Sequence, residues 1–389
     1  MNNYDSNQIQ LISNVSDEDL ANFFNENKDI LMLPIELENG NDILPTLTKR
    51  WNKFYKLVES TAWLSNSIKT IKSIGNSILK AAHLYFAGNL LHANQSIQKV
   101  LKMLTDSKCV CYLDELYIDM EANNWFRARK SDYGSLTKKD MKHIPFSNRS
   151  LINNQRYSIN GIPCLYLGTS VYTCWEELNR PASDSFWVNR YWTKFPNAVR
   201  VLNLSTTMEM LVNFKTGINE KNFNRSEFII DFFTAWILQS ACSVIVKEPN
   251  RNFYEEYIIP QMVMQNIKKF GIDGILYFSV KVKNAYINQY GWLARNLAIP
   301  AFADDKDKEY SNNIEQAFFT SSPINLGMYN NGIIPPATPD IDTDFNFART
   351  NAPIPITDEI NNIYRNTIFF RAEYELLNSK YNLFPLNNT

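Results

Sequence analysis

The sequence predicts an α+β protein, and three observations carry that expectation. Helical apolar spacing fills the first hundred residues, and short runs rich in Val, Ile, Tyr and Cys, separated by Gly, Pro and Asn, fill the middle. A proline-rich stretch near the end then leads into one last helical pattern. Strands and helices do not alternate strictly, which argues against a doubly wound parallel sheet.

Residues 15–31, VSDEDLANFFNENKDIL, begin with a Ser-x-x-Asp cap and put Leu20, Phe23, Phe24 and Ile30 roughly on one face, as an amphipathic helix requires. From Pro45 to about Leu104 the pattern stays helical, and AAHLYFAGNLLHANQSIQKVL looks like a tetratricopeptide hairpin. No second copy occurs at that period, so a helical bundle over 1–107 is expected rather than a repeat array. Strands are expected at 109–113, 164–168, 198–203, 242–247 and 274–279, with helices at Thr173–Asn179, Arg225–Leu238 and from about Pro260. Residues 330–358 read as an extended tail, and the stretch from Thr357 to Tyr381 as a closing amphipathic helix.

Composition limits the function classes. The 389 residues are 45% hydrophobic and 13% aromatic, which excludes wholesale disorder, and 39 Lys plus Arg against 40 Asp plus Glu leave no global field for nucleic acid or an anionic membrane. No run approaches the roughly 18 apolar residues of a membrane span. Five scattered cysteines and a polar start, MNNYDSNQIQ, lead us to expect a cytoplasmic protein.

Familiar nucleotide and metal motifs are missing. Neither a Gly-x-Gly-x-x-Gly fingerprint nor a phosphate loop is present, and the Gly-x-x-Gly at Gly271 to Gly274 reads as a turn before a strand. His83, His92 and His143 lie at no metal-like spacing, and Cys109-Val-Cys111 has no second pair, so no metal is expected. Chemistry would fall to arginine, carboxylate, hydroxyl and aromatic groups. Four pieces offer them: NWFRAR with Arg127 and Arg129 on one side of a strand; NQRYS with Arg156 and Tyr157; LYLGTSVYTCWEEL with Tyr166, Glu176 and Glu177; and GIDGILYFS ending in Ser279. Glu176 lies about 100° from Glu177 around a helix and reads as a solvated or salt-bridged neighbour.

In this order the pieces resemble the RES domain, a bacterial toxin family named for its arginine, glutamate and serine, over about residues 108–325. The resemblance implies an ADP-ribosyltransferase-like mixed β core at 108–329, between the helical domain at 1–107 and a Pro-rich linker with a C-terminal helix at 330–389. It implies Arg127, Glu177 and Ser279 as catalytic residues and Arg156 and Tyr166 as residues that bind NAD; Arg129, on the same side of the strand as Arg127, and Tyr157, through its ring, are added to the NAD-binding set from the residues themselves. NAD would be the substrate, cleaved at the nicotinamide–ribose bond by phosphate or water, with inorganic phosphate as a possible co-substrate and no bound cofactor. Family members usually pair with an antitoxin. Here Tyr157-Ser158 replaces the Trp-Asn that often comes after the family's second arginine, and the chain is much longer than the core family.

Such chemistry would suit the residues. A neutral base leaves a cationic one without an acid, and a carboxylate beside the ribose stabilises the oxocarbenium-like transition state. Arginine forks suit pyrophosphate, and tyrosines stack on nicotinamide or ribose. Two other functions stay open at this level: transfer of ADP-ribose to a protein, and a non-catalytic interaction protein. An antitoxin or immunity protein, or a second copy docking on the N-terminal helices, would be the partner.

Overall fold

The computed structural model describes residues 4–37, 42–113, 124–212, 224–245, 251–282, 291–303, 308–330, 353–355, 361–377 and 383–386. Most of the expected proline-rich tail, residues 331–352 and 356–358, lies outside them, as do residues 246 and 247 of one expected strand.

The helices along the chain are α1 (Ser6–Ser13), α2 (Asp17–Glu26), α3 (Lys28–Leu31), α4 (Ile43–Ser60), α5 (Ile68–Phe86), α6 (Leu90–Leu104), α7 (Val171–Glu177), α8 (Met208–Val212), α9 (Arg225–Cys242), α10 (Ile258–Asn266), α11 (Asn312–Ala317) and α12 (Ile368–Leu377). The strands are β1 (Val110–Tyr112), β2 (Asn124–Lys130), β3 (Cys164–Gly168), β4 (Phe186–Thr193), β5 (Arg200–Leu204), β6 (Gly274–Phe278), β7 (Arg295–Pro300), β8 (Phe318–Thr320), β9 (Ile324–Asn325), β10 (Pro353–Pro355), β11 (Asn361–Ile363) and β12 (Phe384–Pro385). The architecture is α+β.

Local chemistry explains several boundaries. Ser16 and Asp19 form a complete capping box at the start of α2. Gly88, at φ +74°, ends α5 in a conformation that a side chain would strain, and the Asn89 side chain caps α6. The expected strand at 242–247 is replaced: α9 continues to Cys242, and beyond it Val244 makes only an isolated bridge to Ile35. Ser243, at φ −116°, is where the helical backbone ends, its amide still donating to the Ser240 carbonyl.

Two compact units divide the chain. The first combines residues 1–111 with 154–159 and 200–275, so the N-terminal helices pack with α8, α9 and α10. Its core is aromatic: Trp236 of α9 stacks on Phe54 at 4.2 Å between ring centres, and Phe233 lies against Phe23, Phe24, Phe54 and Trp63. Nearly every side chain of α9 is buried, which accounts for its lack of a polar face.

The second unit holds 112–153, 160–199 and 276–389. Its strands run in the order β7-β3-β2-β4-β8-β12, with β9 also on β4. All of these neighbours pair antiparallel. Against β2 and β4 packs a core of Phe126, Phe186 and Val188 with Val171, Tyr172 and Cys174 of α7 and Phe369, Phe370 and Leu376 of α12. The C-terminal helix, expected in a separate segment at 330–389, contributes to the core of this unit.

Candidate active site

β2 and β3 share one paired rung, Phe126 with Gly168, although β2 is paired along its whole length with β4 and β3 along its whole length with β7. The two ribbons thus join at one point and part beyond it, toward the end of β2 and the start of β3. Arg127 is the residue next to the rung. Its Nη1 donates to the Tyr166 carbonyl at 3.1 Å and its Nη2 to the Lys142 carbonyl at 3.1 Å, while Nε is buried with no partner. Arg129 donates to the same Lys142 carbonyl at 2.8 Å. Neither guanidinium makes a salt bridge among the described residues: both hydrogen-bond backbone carbonyls, and the Asp140 carboxylate acts on Arg129 without a direct contact. Burial, then the charge of Arg129, pulls Arg127 down to about 10, against the opposing pull of Tyr191, Cys164 and Cys174; it remains a cation at neutral pH.

Strand alternation puts Arg127 and Arg129 on one face of β2 and Phe126 on the other, with Gly168, Tyr166 and α7 on the Phe126 side. The Gly168–Ser170 turn starts α7 there. A Cβ on Gly168 would lie 2.8 Å from Cys174 Sγ, so only glycine allows the helix this close to the strand. Ser170 caps α7 by accepting from the Thr173 amide at 3.0 Å, and its hydroxyl donates to the Leu293 carbonyl at 2.8 Å. From α12, Glu373 accepts the Val171 amide at 2.7 Å. The start of a seven-residue helix is consequently fixed from two sides before its last residue, Glu177, is placed.

The two glutamates have different surroundings. Glu176 is 4% exposed and takes a bidentate ion pair from Arg180, at 2.9 and 3.0 Å. Glu177 has a side chain 32% exposed; its Oε1 accepts from Asn296 Nδ2 at 2.5 Å and its Oε2 lies 3.8 Å from Lys281 Nζ. Lys281 also donates to the Glu177 carbonyl at 2.5 Å and to Asn179 Oδ1 at 2.9 Å, placing a cation at the negative end of the helix. Immediately after Glu177 and Leu178, Asn179 and Arg180 have φ of 61° and 55°, a left-handed pair that costs arginine about 1 kcal/mol or more. Asn296 pairs with Gly168 across β3, so the row Phe126, Gly168, Asn296 links the neighbour of Arg127 to the partner of Glu177, about 10 Å apart as two strand spacings.

Three further expected residues have structural partners of their own. Ser279 is fully buried just past β6; its amide donates to the Ala294 carbonyl at 2.7 Å and its hydroxyl accepts the Lys281 amide at 3.3 Å. Arg156 and Tyr157 belong to the first unit. There Arg156 donates to the carbonyls of Cys242 and Val244, at 3.1 and 2.7 Å, and its guanidinium sits 5.2 Å from the Tyr257 ring centre. The Tyr157 hydroxyl acts on the Cys242 thiol, which burial pushes up to about 12. The arginine thereby closes the end of α9.

His143 also has a structural explanation. Its Nε2 accepts the Ser311 amide at 3.0 Å while Nδ1 bonds the Ile144 carbonyl, and burial lowers it to about 4, with Arg127, Lys142 and Arg129 adding to the effect, so it is neutral. Sequence reasoning missed Asn296 and Lys281. The available signal was one amide side chain beside the apolar run Leu297-Ala298-Ile299, too slight to stand out. Among the described residues no group of three His, Cys, Asp or Glu gathers as a metal site, and no helix is long and apolar enough to cross a membrane.

Comparison with known proteins gives an informative relative. No protein-family model and no solved structure matches the chain. A curated Bacillus subtilis (strain 168) protein named "Putative toxin YopC" is 30% identical over 305 residues, which cover 75% of this chain and 68% of that protein. With such identity over two thirds of both chains, the protein belongs to the family of that Bacillus subtilis sequence.

Proposed function

We propose that this chain is an enzymatic toxin of the RES type that cleaves NAD at the nicotinamide–ribose bond, on an ADP-ribosyltransferase-like core. One observation carries the reading: two arginines that make no salt bridge among the described residues lie where β2 and β3 part, and a partly exposed carboxylate stands on the other face of the sheet, held by Asn296 two strands from β2. A buried guanidinium with an unused Nε is a donor waiting for an anion. Pyrophosphate meets that need, since its oxygens match the guanidinium fork and supply the missing countercharge.

Glu177 then serves the ribose. Positioned by Asn296 and Lys281, its carboxylate stabilises the positive charge that develops as nicotinamide leaves, and orients the incoming phosphate or water. The leaving base is neutral once the bond breaks, so it needs no acid. Tyr166, on the same side of the sheet as α7, offers a ring for stacking. The toxin name of the Bacillus subtilis relative supports a harmful activity, and depletion of NAD in the host cell would supply one. Restraint by an antitoxin or immunity protein belongs to the same reading.

The test is purified full-length protein incubated with NAD, with and without phosphate, and products identified by mass spectrometry. ADP-ribose phosphate or ADP-ribose is expected from the wild type, with loss of about 100-fold or more in rate for Glu177→Gln. Intact NAD with the folded wild type would reject the reading, and a labelled protein acceptor with little free product would redirect it to ADP-ribose transfer.

A further inference from the structure

We propose that Asn296 and the turn from Ser279 to Lys281 form a positioning network that fixes the Glu177 carboxylate, a role distinct from substrate contact; this rests on Glu177 being the working carboxylate. Each carboxylate oxygen has its own neighbour: Asn296 Nδ2 at 2.5 Å on Oε1, and Lys281 Nζ at 3.8 Å from Oε2. Asn296 is 4% exposed on β7, so its amide has little freedom to turn elsewhere. Lys281 reaches its position because its own amide is tied to the Ser279 hydroxyl, and Ser279 is in turn tied by its amide to Ala294.

Ser279 is thereby assigned a different part from the one its family position implies. Fully buried, with its hydroxyl engaged by Lys281, it acts on Glu177 through the lysine. The strained turn after α7 belongs to the same device. Asn179 and Arg180 hold left-handed conformations because Lys281 binds the Asn179 side chain and Glu176 binds Arg180. Strain of this kind persists only where the surroundings over-determine it, and here every restraint bears on the residues bracketing Glu177. Glu176 is the strut, and Glu177 is the group being held.

Two measurements on the full chain test the network, using Asn296→Leu, Lys281→Met and Ser279→Ala, each first shown to melt within about 3 °C of the wild type. The first needs no substrate: Glu177 labelling by a water-soluble carbodiimide, read by mass spectrometry, should rise about fivefold in Asn296→Leu and Lys281→Met, the factor for one lost hydrogen bond. Glu176 should stay unlabelled. The second is NAD turnover, where kcat should fall about 10- to 100-fold with KM held within about threefold. Unchanged Glu177 labelling would overturn the network whatever the turnover. A raised KM with intact kcat in Ser279→Ala would return Ser279 to substrate binding and overturn its part. If labelling rises but wild-type protein leaves NAD intact, the network stands and the NAD reading falls.

Discussion

Asp231 shows how much one buried residue can weigh. It is 4% exposed on α9, accepts the Lys108 amide at 2.6 Å and the Tyr4 hydroxyl at 2.8 Å, and burial raises it to about 6 despite those donors. A carboxyl whose folded value lies above its unfolded one binds its proton more tightly in the folded state. Its contribution to stability is complete below about 3.8 and is lost as pH rises through about 6. Asp231→Asn keeps the shape and an acceptor oxygen but removes the charge. The substitution should therefore stabilise the chain at pH 8 by up to about 3 kcal/mol and by less at pH 5. Thermal melts of both proteins across that range check the sign, and an advantage that shrinks as pH rises would contradict it. His143 works in the opposite direction: lowered to about 4, it gives stability above its unfolded value of about 6.5 that is lost as pH falls toward 4. Neither residue announced itself in the sequence. Asp231 stands in FIIDFFTAW as the single charged residue of an apolar run, and burial is what raises its pKa.

The short helix α7 depends on the C-terminal helix α12. Glu373 of α12 is fully buried and accepts both the Val171 amide and the Tyr364 hydroxyl, while Phe369 packs 5.0 Å from Trp175 between ring centres. Glu373→Ala removes the acceptor shared by two buried donors and should cost about 2 to 6 kcal/mol at roughly 1–3 per donor, measured by urea unfolding. Little change in the midpoint would mean that water replaces the carboxylate and that α7 does not lean on α12. Several elements are legible in the sequence. The run Cys164 to Gly168 forms a strand at the expected bounds, and the Ser170 cap begins α7 near the expected helix. The strands β4 and β7 were not expected, because Phe186–Thr193 and Arg295–Pro300 are buried on both faces or broken by Asn and Arg, and so lack a clean two-residue period. Arg127 and Glu177 were reachable through motif order. Asn296 becomes visible only once register sets it opposite Gly168, more than a hundred residues away.

At the scale of the molecule, the two compact units interleave along the chain, and the first joins the N-terminal helices to segments a hundred residues later. Within the first unit α9 buries Phe232, Phe233 and Trp236 against Phe24, Phe54 and Trp63. Two buried indole hydrogen bonds join the same helices, from Trp51 to Ser240 at 2.8 Å and from Trp236 to the Leu31 carbonyl at 3.2 Å. A protein cut to residues 108–389 keeps α9 but loses every one of those partners. Each aromatic returned to water costs about 1.5–3 kcal/mol, so three of them approach the whole stability of a typical domain, about 5–15 kcal/mol. The apolar helix then has no polar face to turn outward. Residues 108–389 alone should thus aggregate or bind a hydrophobic dye, with no cooperative melt, while the full chain melts cooperatively. Residues 1–107 supplied in trans should restore solubility, since α9 would recover the faces it packs against. A soluble, cooperatively melting 108–389 fragment would show instead that α9 finds other partners and that the helical segment is dispensable to the fold.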